Sequence, residues 1–385
     1  MISAYHYHYG STPLKIENIR TAAVEVKYAG SHRNTHHAWK SKTYLLVEVR
    51  TDEGVAGVGE VYCDGGASPR VMAAIIEDEV APAVIGCDPR AITAIHEKVT
   101  RRGLLSGRAA AYSIALAGVD IALWDILGKV AGLPVRQLLG GFAAKVSVYG
   151  SGGMYGDTTT PSSLAAEMAA AVECGHAGVK IKAAGAPLKE DVARAAAVRE
   201  AIGGARLMID AMFAPDLPDA FRLARALEPF DLHFLEAPTT TRDMRGWAAI
   251  QRATSVSLAG PELEASPELI RDFLVTDAVR FVQFDACLAG GLTTGRNLAA
   301  LAALHARPIS LHCAASAVGL AASAHLGAAV PNCDSLECHL LHRGLREALW
   351  ASGWNLSSGF LEIPDAPGLG LGCGFDDLIR MGAGT

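Results

Sequence analysis

Seven short apolar runs between Gly178 and His339 each end in an ionisable residue: Lys182, with Lys180 two positions before it, then Asp210, Glu236, Glu262, Asp285, His312 and Glu337. Subtracting neighbours gives intervals of 28, 26, 26, 23, 27 and 25. A strand, a returning helix and two loops need about this many residues, because parallel strands can be joined only by a crossover of roughly a dozen residues or more. The runs GVKIK, RLMID, LHFLE, SVSLAGPE, VRFVQFD, RPISLH and DSLE therefore read as strands of βα units. Each carries its polar residue at the C-terminal end, where a (β/α)8 barrel collects its catalytic groups.

The bulk numbers agree. A chain of 385 residues, 50% hydrophobic and 19% charged, can bury a large core and fill two domains. Net charge of −6 without a Lys/Arg-rich block offers no footprint for nucleic acid, and no apolar stretch approaches the roughly 20 residues that span a bilayer. Eight cysteines without CxxC spacing, and an opening MISAYHYHYG that is no signal sequence, point to reduced thiols in a cytoplasmic protein.

The first segment has another texture. Ile19 to Val26 and Thr43 to Val49 are rich in β-branched residues, and TDEG at Thr51 to Gly54 marks a hairpin turn before Val55 to Tyr62. From Ser68 to Leu139 the pattern is helical, ending at Gly132 to Pro134. The expected fold is α/β: an N-terminal α+β capping domain over residues 1–140, completed by the tail 356–385, and a (β/α)7β modified TIM barrel over 141–355. Val146 to Gly150 supplies its first strand, with helices at Pro161 to Cys174, Lys189 to Ile202 and Pro218 to Leu227 between later ones.

Three carboxylates at successive strand ends, Asp210, Glu236 and Glu262, suit a hard divalent cation; Mg²⁺ prefers such oxygens, whereas Zn²⁺ prefers His and Cys. Lys180 and Lys182 are one residue apart and share a face of their strand. Two ammonium groups that close depress one another's pKa, which would let one act as a base. Asp285 beside His312 would orient the ring and favour its cationic form, making a second acid/base across the mouth. Glu337 either contacts a substrate oxygen or caps a helix starting at Leu340.

These residues resemble the enolase superfamily, in particular its mandelate racemase subgroup, through IALWD at Ile121 to Asp125, LPVRQLLGG at Leu133 to Gly141, VKIK at Val179 to Lys182, FLEAP at Phe234 to Pro238 and FDACLAGGLT at Phe284 to Thr293. The resemblance implies that Asp210, Glu236 and Glu262 bind Mg²⁺, with Mn²⁺ a possible substitute. It implies that Lys182 removes the proton α to a carboxylate, that Lys180 lowers its pKa and contacts a carboxylate oxygen, and that Asp285 orients His312. Glu337 would hydrogen-bond the enediolate oxygen. It also suggests a homo-oligomer.

The chain departs from the subgroup pattern at Met212, Ala237 and Pro261. Met212 stands where the subgroup commonly has Asn and makes one pocket wall more apolar. In the family, loops of the N-terminal domain cover the barrel mouth. The candidates here are Gly30 to Lys42, offering His32, Arg33, Asn34, His36, His37, Trp39 and Lys40, and Tyr62 to Gly66. So polar and cationic a lid suits a polyhydroxylated carboxylate. The expected reaction is Mg²⁺-dependent dehydration of an acid sugar to a 2-keto-3-deoxy acid. The alternatives are a racemase, epimerase or cycloisomerase, and a barrel whose lysines serve only structure.

Overall fold

The computed structural model describes residues 14–63, 68–156, 159–342 and 344–383. Three antiparallel strands come first: β1 (Ile16–Arg33), β2 (Ala38–Thr51) and β3 (Ala56–Val61), with β2 central. The β2–β3 turn falls at TDEG. Thr51 N–H donates to the Val55 carbonyl, Gly54 N–H donates to the Thr51 carbonyl, and Gly54 takes φ of 80°, a conformation cheap only for glycine.

One face of this sheet packs on the long helix Ala109–Ala131, and the alternating glycines of AGVGEV let it come close. A Cβ on Gly59 would lie 1.8 Å from the Gly118 carbonyl oxygen, and one on Gly57 would lie 2.0 Å from that of Ala122. Both obstacles are helix backbone, which cannot step aside as a side chain can. Gly59→Ala is therefore expected to destabilise the protein by about 3 kcal/mol or more, read as a lowered denaturation midpoint with an unchanged m-value.

Eight parallel strands follow: β4 (Lys145–Ser151), β5 (Gly178–Lys182), β6 (Arg206–Asp210), β7 (Phe234–Glu236), β8 (Leu258–Gly260), β9 (Phe281–Asp285), β10 (Ile309–His312) and β11 (Cys333–His339). They pair in chain order, and β11 pairs back onto β4, so the barrel is closed. Helices Pro161–Glu173, Leu188–Ile202, Leu217–Leu227, Met244–Ala253, Pro267–Val275, Gly291–Leu304 and Ala317–Ala329 form the seven crossovers of a (β/α)7β barrel. Thr160, Asp216, Asp243, Ser266 and Ser316 cap five of them through their side-chain oxygens, satisfying N–H groups that the first turn leaves unpaired.

Register sets the site. Lys182 lies opposite Asp210, Asp210 opposite Glu236, and His312 opposite Asp285. Neighbouring parallel strands in register raise these groups to one level at the mouth.

The tail divides rather than joining the cap as one piece. A hairpin, β12 (Asn355–Ser357) and β13 (Phe360–Glu362), pairs antiparallel with barrel strand β4, whereas the residues after it meet the cap: Gly368 bridges Pro134, Leu369 N–H donates to Asp125, and Asp376 of the final helix Phe375–Ala383 pairs with Arg20 of β1. Among the described residues, no helix is long and apolar enough to cross a membrane.

Candidate active site

Asp210 ends β6, Glu236 ends β7, and Glu262 follows β8 by two residues. Each offers one oxygen, and these oxygens all lie within 4.8 Å of one another in a buried setting. Burial, then the Glu236 and Asp210 carboxylates, push the Glu262 pKa well above its ordinary value. Its Oε2 is buried and accepts no hydrogen bond from the protein. An orphan oxygen among crowded carboxylates is the donor set a hard divalent cation satisfies, so the residues present fit Mg²⁺.

The backbone beyond these strands is unusual. Ala184, Met212, Phe213 and Ala237 all have φ between 48° and 61°, the left-handed region that costs a non-glycine residue about 1 kcal/mol or more. Asp210 anchors one such turn by accepting the Met212 N–H at 2.8 Å. These residues lie just past the ends of β5, β6 and β7.

The two lysines share a face, as expected, but at different depths. Lys182 lines the open cavity, its Nζ 2.5 Å from Asp210 Oδ2 and 3.5 Å from Met212 Sδ. Lys180 is completely buried below it. Its Nζ donates to both Glu236 oxygens at 2.6 and 2.7 Å and lies 3.2 Å from Glu337 and 5.5 Å from the Tyr149 ring centroid. Burial opposes its charge, but Glu236 and Glu337 outweigh burial and hold its pKa well above the usual lysine range. The mutual depression anticipated for the pair is therefore not found at Lys180, because carboxylates rather than its fellow ammonium dominate its field. Lys180 is not among the residues that line the cavity.

On the other side, His312 Nδ1 is 2.7 Å from Asp285 Oδ2, and its Nε2 lies 3.7 Å from Glu337. Burial disfavours the imidazolium, but Glu337 and Asp285 outweigh it and raise the pKa. Asp285 is itself held by the Cys287 N–H at 2.7 Å. Glu337 has its pKa lowered well below the ordinary value: burial works against ionisation, and Lys180 and His312 more than compensate. It is thus an acceptor in this arrangement, taking the Cys313 N–H at 3.2 Å. The helix it could have capped at Leu340 is absent, since the next helix is Glu347–Ala351.

These groups open into a cavity of about 180 Å³. The segment Gly30 to Lys42, expected as a loop, is mostly the tip of the β1–β2 hairpin folded over the mouth. Its turn is tied by Asn34, whose Oδ1 accepts the His36 and His37 N–H groups at 2.7 and 2.8 Å. The tip also docks on three successive barrel loops. Arg33 bridges Tyr155 through the backbone, Thr35 Oγ1 donates to the Ala183 carbonyl at 3.1 Å, and His36 Nε2 meets the Met212 carbonyl at 2.7 Å.

Asn34, His36, His37, Trp39 and Met212 line the cavity, as anticipated. His32 and Arg33 do not. His32 Nε2 hydrogen-bonds the Ala29 carbonyl, and Arg33 stacks 4.9 Å from the Tyr155 ring. Of the second expected loop, Tyr62 is described and lies 6.0 Å from the His312 ring, while 64–66 fall outside the described residues.

Sequence reasoning missed Tyr28, Lys42, Met154, Phe213, His339 and His342 as lining residues. For His339 a signal existed, because it sits two residues after Glu337 and so faces the same side of β11. Phe213, Met154 and His342 come from the short loops after β6, β4 and β11, whereas Tyr28 and Lys42 are brought in by the packing of the hairpin.

A capped barrel with one ionisable layer at its mouth places the chain among enolase-like barrel enzymes. Residues 163–375 match the family "Enolase C-terminal domain-like" and residues 16–140 match "Mandelate racemase / muconate lactonizing enzyme, N-terminal domain"; the chain belongs to the mandelate racemase/muconate lactonizing enzyme family. It is 30% identical over 327 residues to arabinonate dehydratase of Saccharolobus solfataricus, covering 85% of this chain and 87% of that one. It is 31% identical over 379 residues to D-galactarolactone cycloisomerase of Agrobacterium fabrum, covering 96% and 99%. The solved structure of L-talarate/galactarate dehydratase from Salmonella typhimurium LT2, liganded with Mg and L-lyxarohydroxamate, superposes with a TM-score of 0.85 at 28% identity, covering 96% of this chain and 93% of that one.

Proposed function

We propose that the protein is a Mg²⁺-dependent acid-sugar dehydratase, a cytoplasmic homo-oligomer that converts a sugar acid to its 2-keto-3-deoxy acid. The observation that carries this reading is that Lys182 of β5 and His312 of β10, three strands apart around the ring, line one cavity together with Asp210 and Glu262 of the carboxylate triad. Asp210, Glu236 and Glu262 would hold the cation, which when bound supplies positive charge beside the substrate carboxylate and so acidifies its α-proton. Lys182, in its neutral form, takes the α-proton from C2. His312, as imidazolium, gives its proton to the C3 hydroxyl, which leaves as water. The resulting enol becomes the 2-keto acid by taking a proton at C3 and releasing the proton of its C2 hydroxyl. Lys180 keeps Glu236 and Glu337 in place, and the docked hairpin excludes bulk water from the reacting carbon.

The test is a screen of mono- and diacid sugars for semicarbazide-reactive product, with and without EDTA. A metal-dependent keto acid is expected, and no turnover of any acid sugar overturns the assignment. A second reading, cycloisomerisation, is favoured by the nearly complete coverage of the Agrobacterium fabrum relative. Solvent deuterium in recovered substrate or lactone-derived product, without a keto acid, selects it.

The raised His312 pKa gives a further expectation. The imidazolium is present below that pKa and lost as pH rises through it, so kcat falls on the alkaline side. Asp285→Asn removes the charge and orienting bond that raise the pKa. The alkaline limb of the kcat–pH profile should move to lower pH, and kcat at neutral pH should fall by roughly 10²-fold. An unmoved limb would assign the limb to another group.

A further inference from the structure

Strand β3 of the cap ends against the two loops that follow β9 and β10, the strands that carry Asp285 and His312. Just past its end, the Tyr62 N–H donates to the Cys287 carbonyl at 2.9 Å, and the Cys287 N–H donates to Asp285 Oδ1 at 2.7 Å. Cys287 thus links the cap to the carboxylate that orients the imidazole.

Glu60, on β3 itself, makes the larger contact. It is 2% exposed, and its carboxylate accepts the Ser316 N–H at 3.0 Å, the Ser316 hydroxyl at 2.6 Å and the Gly319 N–H at 2.9 Å. Ser316 is the cap residue of the helix Ala317–Ala329, whose first N–H groups have no partner within the helix. Backbone N–H groups only donate, so two of the three contacts require an acceptor, and an anion is favoured at a helix N-terminus. Burial raises the Glu60 pKa, whereas the Ser316 and Gly319 bonds and the nearby Lys42 pull it back.

Three residues separate Ser316 from His312, and the loop they form is held along its length. The Cys313 N–H donates to Glu337 at 3.2 Å, Arg346 Nη2 donates to the Ala315 carbonyl at 3.3 Å, and Glu60 fixes Ser316. So short a segment has few dihedrals with which to absorb a shift, and a displacement at Ser316 reaches the imidazole. The packing around the clamp is close: a Cβ on Gly319 would lie 2.7 Å from Cys287 Sγ and 3.2 Å from Glu60 Oε2. The base is supported by other groups. Thr35 of the hairpin tip donates to the Ala183 carbonyl at 3.1 Å, and Arg194 donates to the Lys182 carbonyl at 3.4 Å.

We propose that Glu60 is a positioning residue for the acid half of the site: from the cap domain it fixes the loop after β10, and with it the imidazole that gives its proton to the departing hydroxyl. This rests on the reading of the site as a dehydratase. Glu60 acts through His312, so its loss should change what becomes of the deprotonated substrate more than how fast that species forms. With His312 in place, the deprotonated substrate loses its C3 hydroxyl as water. With His312 displaced, it takes a proton back at C2 from the Lys182 ammonium and returns to substrate.

The experiment uses the Mg²⁺-loaded protein in deuterated buffer and follows both keto-acid formation and deuterium uptake at C2 of recovered substrate. Glu60→Gln keeps the shape of the side chain but turns an NH₂ donor toward one of its donors. It should lower the ratio of keto acid to exchanged substrate by at least tenfold. Ser316→Ala removes the hydroxyl bond and leaves both backbone bonds to Glu60. It should lower the ratio by at least threefold, and it stands in should Glu60→Gln fail to fold. An unchanged ratio, with or without an equal loss of both processes, overturns the proposal, because a merely structural contact acts on both alike. Neither exchange nor turnover of any acid sugar instead overturns the reaction class. The positioning role is then judged on the ring itself: the downfield proton resonance of the His312 Nδ1–Asp285 bond, assigned by its absence from His312→Asn, should be lost or displaced in Glu60→Gln. An unchanged resonance overturns it.

Discussion

Lys182→Ala is expected to lower the rate of α-proton removal by roughly 10²–10⁴-fold, with a much smaller change in KM. Lys182 is the lysine of the pair that lines the cavity, and its Nζ stands between Asp210 and the Met212 thioether, at the edge of the space a substrate would fill. Removing it leaves the triad and the His312–Asp285 pair in place, so binding through those groups persists while the base is lost. The measurement is exchange of the substrate α-proton with deuterated solvent, followed by NMR. Exchange at the wild-type rate would assign the base elsewhere. Lys180→Ala should behave differently. Its ammonium neutralises Glu236 and Glu337 where no solvent reaches, and breaking a buried pair of this kind costs about 3–5 kcal/mol. Its signature is a lowered melting temperature accompanying the loss of activity, which separates a positioning lysine from a catalytic one.

Removal of the divalent cation should have an effect of the same order. EDTA is expected to abolish turnover, and added Mg²⁺ or Mn²⁺ to restore it. Cation at 100 times its Kd should also stabilise the fold by about 2.7 kcal/mol, seen as an upward shift of the melting temperature by several degrees. Glu262→Gln is the sharper form of this test. The substitution keeps shape and volume but replaces an orphan carboxylate oxygen that is crowded by Glu236 and Asp210. The variant should fold, because the like-charge crowding is relieved, yet lose at least roughly 10²-fold in activity together with most of the Mg²⁺-induced thermal shift. A variant that keeps the full shift would remove Glu262 from the ligand set.

How far the site could be read beforehand depended on where each residue lies relative to the backbone repeat. Asp210, Glu236, Asp285, His312 and Glu337 were legible because each ends, or nearly ends, a strand, and strand ends of a closed parallel barrel all meet at one rim. Lys180 was only half legible. The KIK spacing placed it on the inner face, but its depth, and the way Glu236 and Glu337 dominate its charge, depend on barrel closure between β11 and β4. Arg33 and His32 were misplaced for a related reason. A segment rich in polar residues reads as a loop, whereas the hairpin continues to Arg33 and resumes at Ala38, with His32 held by the Ala29 carbonyl and Arg33 over the Tyr155 ring. Lys42, inside the same segment, was passed over, since nothing local marks one lysine in a strand as facing a cavity.

The sequence by itself determined the barrel, its cap and the chemistry at its rim, because apolar periodicity and the recurrence of ionisable strand ends are local properties that a single chain displays in order. The tertiary structure alone decided which of those groups share a cavity, at what depth, and what stands across from them. Tyr28 and Lys42 are brought to the cavity that His312 and His342 line by the packing of a distant hairpin on the barrel mouth, and contacts between residues some 300 positions apart leave no periodic trace in the chain.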